Sequence, residues 1–236
     1  MQFKTFPTSQ MASNYVAQMI IQAIKNKPTI KLGLATGSTP IELYQFLVSD
    51  YQTKQTNWKQ VTTFNLDEYL NLPIGHEQTY RVFMNQQLFN HLNIPLEQTH
   101  FPQLEQNYDQ LIESHGGIDI QILGIGTNGH IGFNEPGSAF NSLTRVVDLT
   151  SETISVNAKK FFAGNEDLVP KQAISMGIGS ILKAQKIILL AFGSTKKEAM
   201  RTLKQVQDFD PDFPASALIK HPDVTIIMDQ EAADDL

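Results

Sequence analysis

Between Gly124 and Gly137 the chain reads Gly-Ile-Gly-Thr-Asn-Gly-His-Ile-Gly-Phe-Asn-Glu-Pro-Gly, directly after the apolar run Ile118-Asp-Ile-Gln-Ile-Leu123. The run has the composition of a buried strand. Four glycines in the nine residues 124–132 let the backbone turn sharply and come close to a ligand. Into that turn the sequence places Asn128, His130 and Glu135, just beyond the strand's carboxyl end. Open α/β sheets bind their ligands at that edge.

The spacing Gly124-x-Gly126-x-x-Gly129 also matches a dinucleotide-binding fingerprint, with Asp148 at about the expected distance downstream. That fingerprint needs a helix opening at its third glycine. Here Gly132, Pro136 and Gly137 follow and oppose one, so the dinucleotide reading is set aside.

Elsewhere strands alternate with helical patterns. After Thr8 and Ser9, either of which can cap a helix, Ala12, Val16, Met19, Ile20, Ala23 and Ile24 recur at helical spacing until Pro28. Ile30–Ala35 reads as a strand, and Thr39 with Glu42 forms a capping-box pattern around Pro40. The loop Thr36-Gly37-Ser38-Thr39 can serve as a solvated cap. It can also offer N–H groups, hydroxyls and a helix dipole to an anion, and its place after a strand favours the anion. It lacks the Gly-Lys-Ser/Thr ending of a Walker loop.

A strand over Val61–Leu66 ends in Asp67-Glu68-Tyr69, where Asp67 is a candidate either for turn capping or for chemistry. Two helical patterns, one from Tyr80 to Leu88 and one from Leu104 to Ile112, carry aromatics that read as core. Arg145–Leu149 reads as a short strand. The polar segment from Thr150 to Gly164 suits either a mobile lid or a surface helix. A strand-to-glycine-to-helix junction spans Ala173–Leu182, and Lys186–Phe192 is the clearest buried strand. Thr195 and Glu198 then make a second capping-box pattern, and Val224–Met228 reads as a last strand. Lys196 and Lys197 fall in a helix's first turn, where the dipole disfavours cations, so a bound anion beside one of them would offset that cost.

These patterns predict one α/β domain over residues 1–236, Rossmann-like, with a mainly parallel sheet and helices on both faces. If its strands are parallel, the loops after Ala35, Leu66, Leu123 and Phe192 share one edge. Composition narrows the function. A net charge of −6 without a basic run argues against a nucleic-acid surface. The absence of cysteine excludes disulfides, thiolate metal sites and a cysteine nucleophile, and suits the cytoplasm. The N-terminus lacks a signal peptide's apolar core, and no apolar run is long enough to span a bilayer.

Five pieces in order resemble the glucosamine-6-phosphate deaminase family: residues 34–40, 64–69, 124–136, the segment from Val169 to Leu182, and 192–196. The resemblance covers nearly the whole chain and implies conversion of glucosamine 6-phosphate and water to fructose 6-phosphate and ammonia. It implies no organic cofactor and no metal. By position, Asp67 matches the base that moves the C2 proton, and His130 the ring-opening acid/base, supported by Asn128 and Glu135. Thr36, Gly37, Ser38, Thr39 and Lys196 match phosphate-binding positions.

Two departures stand out. Asn128 replaces an Asp found in many relatives. Lys160 stands where relatives often have an Arg on the phosphate, and Lys lacks the bidentate fork. The chain also stops soon after its last strand, whereas allosteric hexameric members continue. A monomer or small homo-oligomer is therefore expected rather than a hexamer. The runner-up readings are a 6-phosphogluconolactonase, which shares the glycine–histidine core but needs no enolisation base, and a non-catalytic sugar-phosphate sensor.

Overall fold

The computed structural model describes residues 1–54 and 56–233, apart from the side chains of residues 152, 160 and 161. Strand β1 (Gln2–Phe6) leads into helix α1 (Ser9–Asn26), which opens as the sequence predicts. Thr8 is its N-cap, accepting from the Met11 N–H at 3.2 Å, and the buried stripe is Ala12, Val16, Ile20 and Ile24. Then come β2 (Lys31–Leu34), α2 (Ile41–Lys54), β3 (Thr62–Asn65), β4 (Asp67–Tyr69), α3 (Tyr80–Gln87), β5 (Thr99–His100), α4 (Tyr108–Ser114) and β6 (Ile120–Gly124). Beyond the glycine loop lie β7 (Arg145–Asp148), α5 (Ser151–Phe161), β8 (Gln172–Ser175), α6 (Ile178–Ile181) and β9 (Lys186–Ala191). The chain continues through α7 (Lys197–Gln205), β10 (Val224–Asp229) and α8 (Gln230–Ala233).

Seven strands form one sheet in the order β1-β10-β9-β6-β2-β3-β5, with every neighbouring pair parallel. A parallel strand covered on both faces must be apolar along its whole length. In β9, Ile187, Leu189 and Ala191 enter the core on one face, under α4, α6 and α7. Ile188 and Leu190 enter the other, under α1 and α2. Strand order reverses between β2 and β6: β2 connects onward to β3 on one side, and β6 to β9 on the other. Both strands end at the same edge, which makes a crevice there.

A second, antiparallel sheet, β4-β8-β7, grows from the carboxyl end of β3. Leu66 is the hinge residue, donating its N–H to Leu34 O at 3.1 Å and accepting from Met176 N–H at 2.8 Å. Asp67 therefore leaves the large sheet and pairs with Ser175 in the small one.

Several local expectations fail. Neither capping box forms: the first helical bond of α2 runs from Tyr44 N–H to Pro40 O at 3.0 Å, and α7 follows a 3-10 turn, Ser194–Lys196, without a side-chain cap. The helical pattern from Leu104 begins only at Tyr108, capped by Asn107, and Leu104 itself is exposed. Before the last strand the chain also forms a 3-10 helix, Pro214–Lys220.

Candidate active site

A cavity of about 430 Å³ opens at the β2/β6 crevice. Its lining includes Thr36, Gly37, Ser38 and Thr39 after β2, Asp67 after β3, Gly124 to Asn128 and His130 after β6, and Thr195 and Lys196 after β9. Four separate strand ends thus meet at one place, as parallel topology requires. The strand–turn–glycine loop continues without a helix at Gly129, which removes the structural basis for the dinucleotide fingerprint.

The loop at 36–39 is anchored from below, because Tyr44 Oη donates to Ala35 O at 2.5 Å. Thr39 lines the cavity. On the opposite side, Gly193 N–H reaches both carboxylate oxygens of buried Asp229 at 3.0 Å, which fixes the turn that presents Thr195 and Lys196. Hydroxyl-bearing residues, a glycine turn and a lysine lining one cavity are the kinds of group that an anion site needs.

Asp67 is only 6% exposed. Burial first, and then the neighbouring carboxylate of Glu68, push its carboxyl up to about 8. Glu68 has a structural task. Its two oxygens accept from Tyr69 N–H, Tyr80 N–H and Arg81 N–H at 2.8–2.9 Å, so it closes the N-terminus of α3. A carboxyl kept near neutrality, at a sheet edge and facing a cavity, suits a group that must accept a proton and return it.

His130 is held by a short relay. Its Nδ1 lies 2.7 Å from Asn128 Oδ1, while Asn128 Nδ2 donates to Glu135 Oε2 at 2.8 Å. The second bond and the His130 N–H, which donates to Asn128 Oδ1 at 3.2 Å, orient the amide, so an oxygen that can only accept faces the ring. Nδ1 must then carry a hydrogen, and in the neutral ring Nε2 is left as the base. The resemblance implies that Asn128 and Glu135 both support the histidine. In the structure Asn128 makes the closer contact, and Glu135 stands 3.5 Å from Nδ1, behind the cavity wall. Burial raises the Glu135 carboxyl, but hydrogen bonds from His130, Thr153 and Asn128 and the charge on a protonated His130 ring outweigh it, holding the group at about 2.

Two glycines make this arrangement possible. A Cβ on Gly126 would stand 2.2 Å from Cε1 and Nδ1 of His130, so the ring lies flat against bare backbone. Gly129 has φ +81° and the Phe213 ring against its Cα, which only glycine allows. Asn134, fully buried, donates to Ile131 O and Met176 O at 2.9 and 2.8 Å and accepts from Arg145, tying the far arm of the loop to β8.

The structure also adds residues that the sequence reading misses. Tyr80, read as core, lines the cavity beside Tyr69 and Phe133, with ring centroids 4.8 and 6.1 Å away. Thr153, Val156 and Asn157 line it from α5. Helix α5 is therefore a wall of the site. The side chain of Lys160, a predicted phosphate contact, lies outside the described residues. A separate cavity of about 350 Å³ between α4 and α6 lies away from these strand ends. Its buried-side carboxylate, Asp109, is already taken up by Thr144 N–H and the Ser180 hydroxyl. Among the described residues, no group of three His, Asp or Glu side chains could hold a metal ion, and no helix is long and apolar enough to cross a membrane.

The family model of glucosamine-6-phosphate isomerases/6-phosphogluconolactonase matches residues 7–227. A glucosamine-6-phosphate deaminase of Bacillus pumilus is 48% identical over 235 residues, covering 96% of both chains. One from Mycoplasma mycoides is 49% identical over 232 residues, covering 96% of this chain and 94% of its own. The fold superposes on a solved monomeric glucosamine-6-phosphate deaminase with a TM-score of 0.94 at 41% identity, covering 99% of each chain. A 6-phosphogluconolactonase of Trypanosoma brucei superposes with a TM-score of 0.77 at 17% identity, a likeness of fold alone, covering 100% of this chain and 98% of its own.

Proposed function

The chain belongs to the glucosamine-6-phosphate isomerase/6-phosphogluconolactonase family, and within it we infer a glucosamine-6-phosphate deaminase, converting glucosamine 6-phosphate and water to fructose 6-phosphate and ammonia. The observation that supports the residue roles is the sharing of one cavity by buried Asp67, whose carboxyl is pushed up, and His130, whose Nδ1 lies against the Asn128 oxygen. A lactonase needs a hydrolytic base and an anion site. It has no use for a second carboxyl tuned to hold a proton near neutral pH.

In this reading the phosphate sits on the 36–39 loop and Lys196, which places the sugar ring over Asp67 and His130. A closed pyranose has no carbonyl, so His130 Nε2 takes the proton of the C1 hydroxyl and passes it to O5 as the ring opens. The imidazolium formed in between is stabilised by the Asn128 oxygen and, behind it, by the Glu135 charge. With C1 now an aldehyde, the C2 hydrogen is acidic. Asp67, ionised beside the incoming C2 ammonium, removes it and returns it to C1. In the same step the carbonyl oxygen takes up a proton given up by the C2 ammonium, so a C1 hydroxyl and a C2 iminium remain; water adds to the iminium and ammonia departs. Tyr80 and Phe133 supply the apolar wall that keeps bulk water from the open chain.

The substrate is a phosphorylated amino sugar, and the working unit a monomer or small homo-oligomer in the cytoplasm, with no nucleic-acid or membrane partner. Separate incubations with glucosamine 6-phosphate and with 6-phosphogluconolactone test the assignment. Ammonia release from the first is expected. Acid release from the second with no ammonia from the first would replace it.

A further inference from the structure

A hydrogen-bonded chain connects the first turn of α5 to the His130 ring, and each of its protons can be assigned. Thr150 is the N-cap of α5, and its hydroxyl lies 3.1 Å from that of Thr153. Thr153 Oγ1 lies 2.5 Å from Glu135 Oε1. An ionised carboxylate only accepts, so the Thr153 proton points to Glu135 and the Thr150 proton to Thr153. Glu135 Oε2 accepts from the Asn128 amide, and the amide oxygen accepts from His130 Nδ1–H.

We propose that Thr153 is a positioning residue for ring opening: by holding Glu135 it sets the Asn128 amide, and through that the tautomer and orientation of His130. The proposal rests on the deaminase reading above. It makes docking of α5 and readiness of the histidine a single event. Asn157, one helical turn further on, donates to Tyr69 Oη at 2.7 Å and is the second tether of the same helix face. Both tethered side chains, with exposed Val156 between them, also line the cavity that receives the sugar.

The role has a pH signature. The described charged groups around Glu135 are His130, at 3.5 Å, and Arg145, reached through Ser138, whose hydroxyl donates to Glu135 O and lies 3.4 Å from the guanidinium. Burial works to protonate Glu135, and the Thr153 hydroxyl is one of the bonds that oppose it. Without that bond Glu135 takes up a proton at higher pH. It then ceases to anchor the amide as an anion.

The test compares Thr153→Val, which keeps the shape and removes the hydroxyl, with Thr153→Ser, which keeps the hydroxyl. The valine variant should lose about ten- to a hundredfold in kcat on glucosamine 6-phosphate, the scale of one hydrogen bond to a charged group. Its acidic limb should move to higher pH. Its affinity for 2-amino-2-deoxyglucitol 6-phosphate, which has no ring to open, should stay within about twofold, because that ligand bypasses the histidine's task. The serine variant should recover most of kcat and the original limb. Equal losses in both variants would reduce Thr153 to packing. A rise in KM and in the alditol's Kd at unchanged kcat would make it a substrate contact, and an unaltered valine variant would sink the idea outright. Failure of the unmodified protein to release ammonia would instead overturn the deaminase reading beneath it.

Discussion

Asn128 Nδ2 donates to Glu135 Oε2 at 2.8 Å, and together with the His130 N–H, which donates to Asn128 Oδ1 at 3.2 Å, this contact sets which end of the amide faces the His130 ring. An aspartate at position 128 would have no hydrogen to give. Two carboxylates would then face each other at hydrogen-bond distance, and such a pair shares one proton. Asn128→Asp should keep the fold and measurable activity while the acidic limb of kcat/KM moves up by about one pH unit, ~1.4 kcal/mol. The shift would belong to the 128–135 pair, not to one residue. A pH–rate profile of both proteins at one ionic strength decides it, and a limb that stays put or falls would contradict the contact.

Asp67 links function to stability. Its carboxyl is raised to about 8 in the fold, so the folded state binds the proton more tightly than the unfolded chain does. The stabilisation from protonated Asp67 is complete below the unfolded pKa, near 4, and is lost as pH rises towards 8. Asp67→Asn does not titrate. It should match the unmodified protein at pH 4 and exceed it increasingly up to pH 8, by at most about 4 kcal/mol at pH 7. Thermal unfolding across that range gives the answer, and a variant that is less stable at pH 8 would refute the burial argument. The same substitution should abolish solvent exchange of the C2 proton.

The parallel sheet was legible because its inner strands must be apolar on both faces, and Ile30–Ala35, Ile118–Leu123 and Lys186–Phe192 declare this in sequence. Their loops followed, and with them Asp67, His130 and the 36–39 turn. The small sheet was not legible. Asp67-Glu68-Tyr69 carries no alternating pattern, and its partner β8 lies more than a hundred residues away. Strand β1 is a half-exposed edge with the same weakness. Tyr80 looked like core because an aromatic at helical spacing usually is, and only the fold turns its ring towards the cavity. Thr153 and Asn157 lie on a polar helix that could have faced solvent. Their meaning comes from Glu135 and Tyr69, which sequence spacing does not bring near them.

Lys196 and the 36–39 loop line the same cavity, so the two halves of the proposed anion site come from different βα units. Removing its charge-assisted contact in Lys196→Ala should cost roughly 1.5–3 kcal/mol, a rise in KM of about ten- to a hundredfold. Inorganic phosphate should compete with substrate in the unmodified protein and much less in the variant. Unchanged KM together with unchanged phosphate inhibition would move the anion site elsewhere.

Gly126 separates the integrity of the fold from that of the histidine. Its φ lies outside the left-handed region, so alanine suits the backbone, yet the new methyl would occupy space 2.2 Å from His130 Cε1 and Nδ1. The ring is the element able to yield. It is one-third exposed at the cavity, whereas the glycine belongs to a turn closed by Gly126 N–H to His130 O at 2.9 Å and Gly129 N–H to Gly126 O at 3.1 Å. Swinging outward would break the Nδ1 bond to Asn128 and take Nε2 away from the sugar. Gly126→Ala should therefore unfold within a few degrees of the unmodified protein while kcat/KM falls at least about a hundredfold, the usual contribution of a positioned acid–base group. Affinity for inorganic phosphate should persist, since the 36–39 loop and Lys196 are untouched. Near-normal turnover would mean that the ring does not work from the position packed on Gly126, and the relay through Asn128 would lose its purpose.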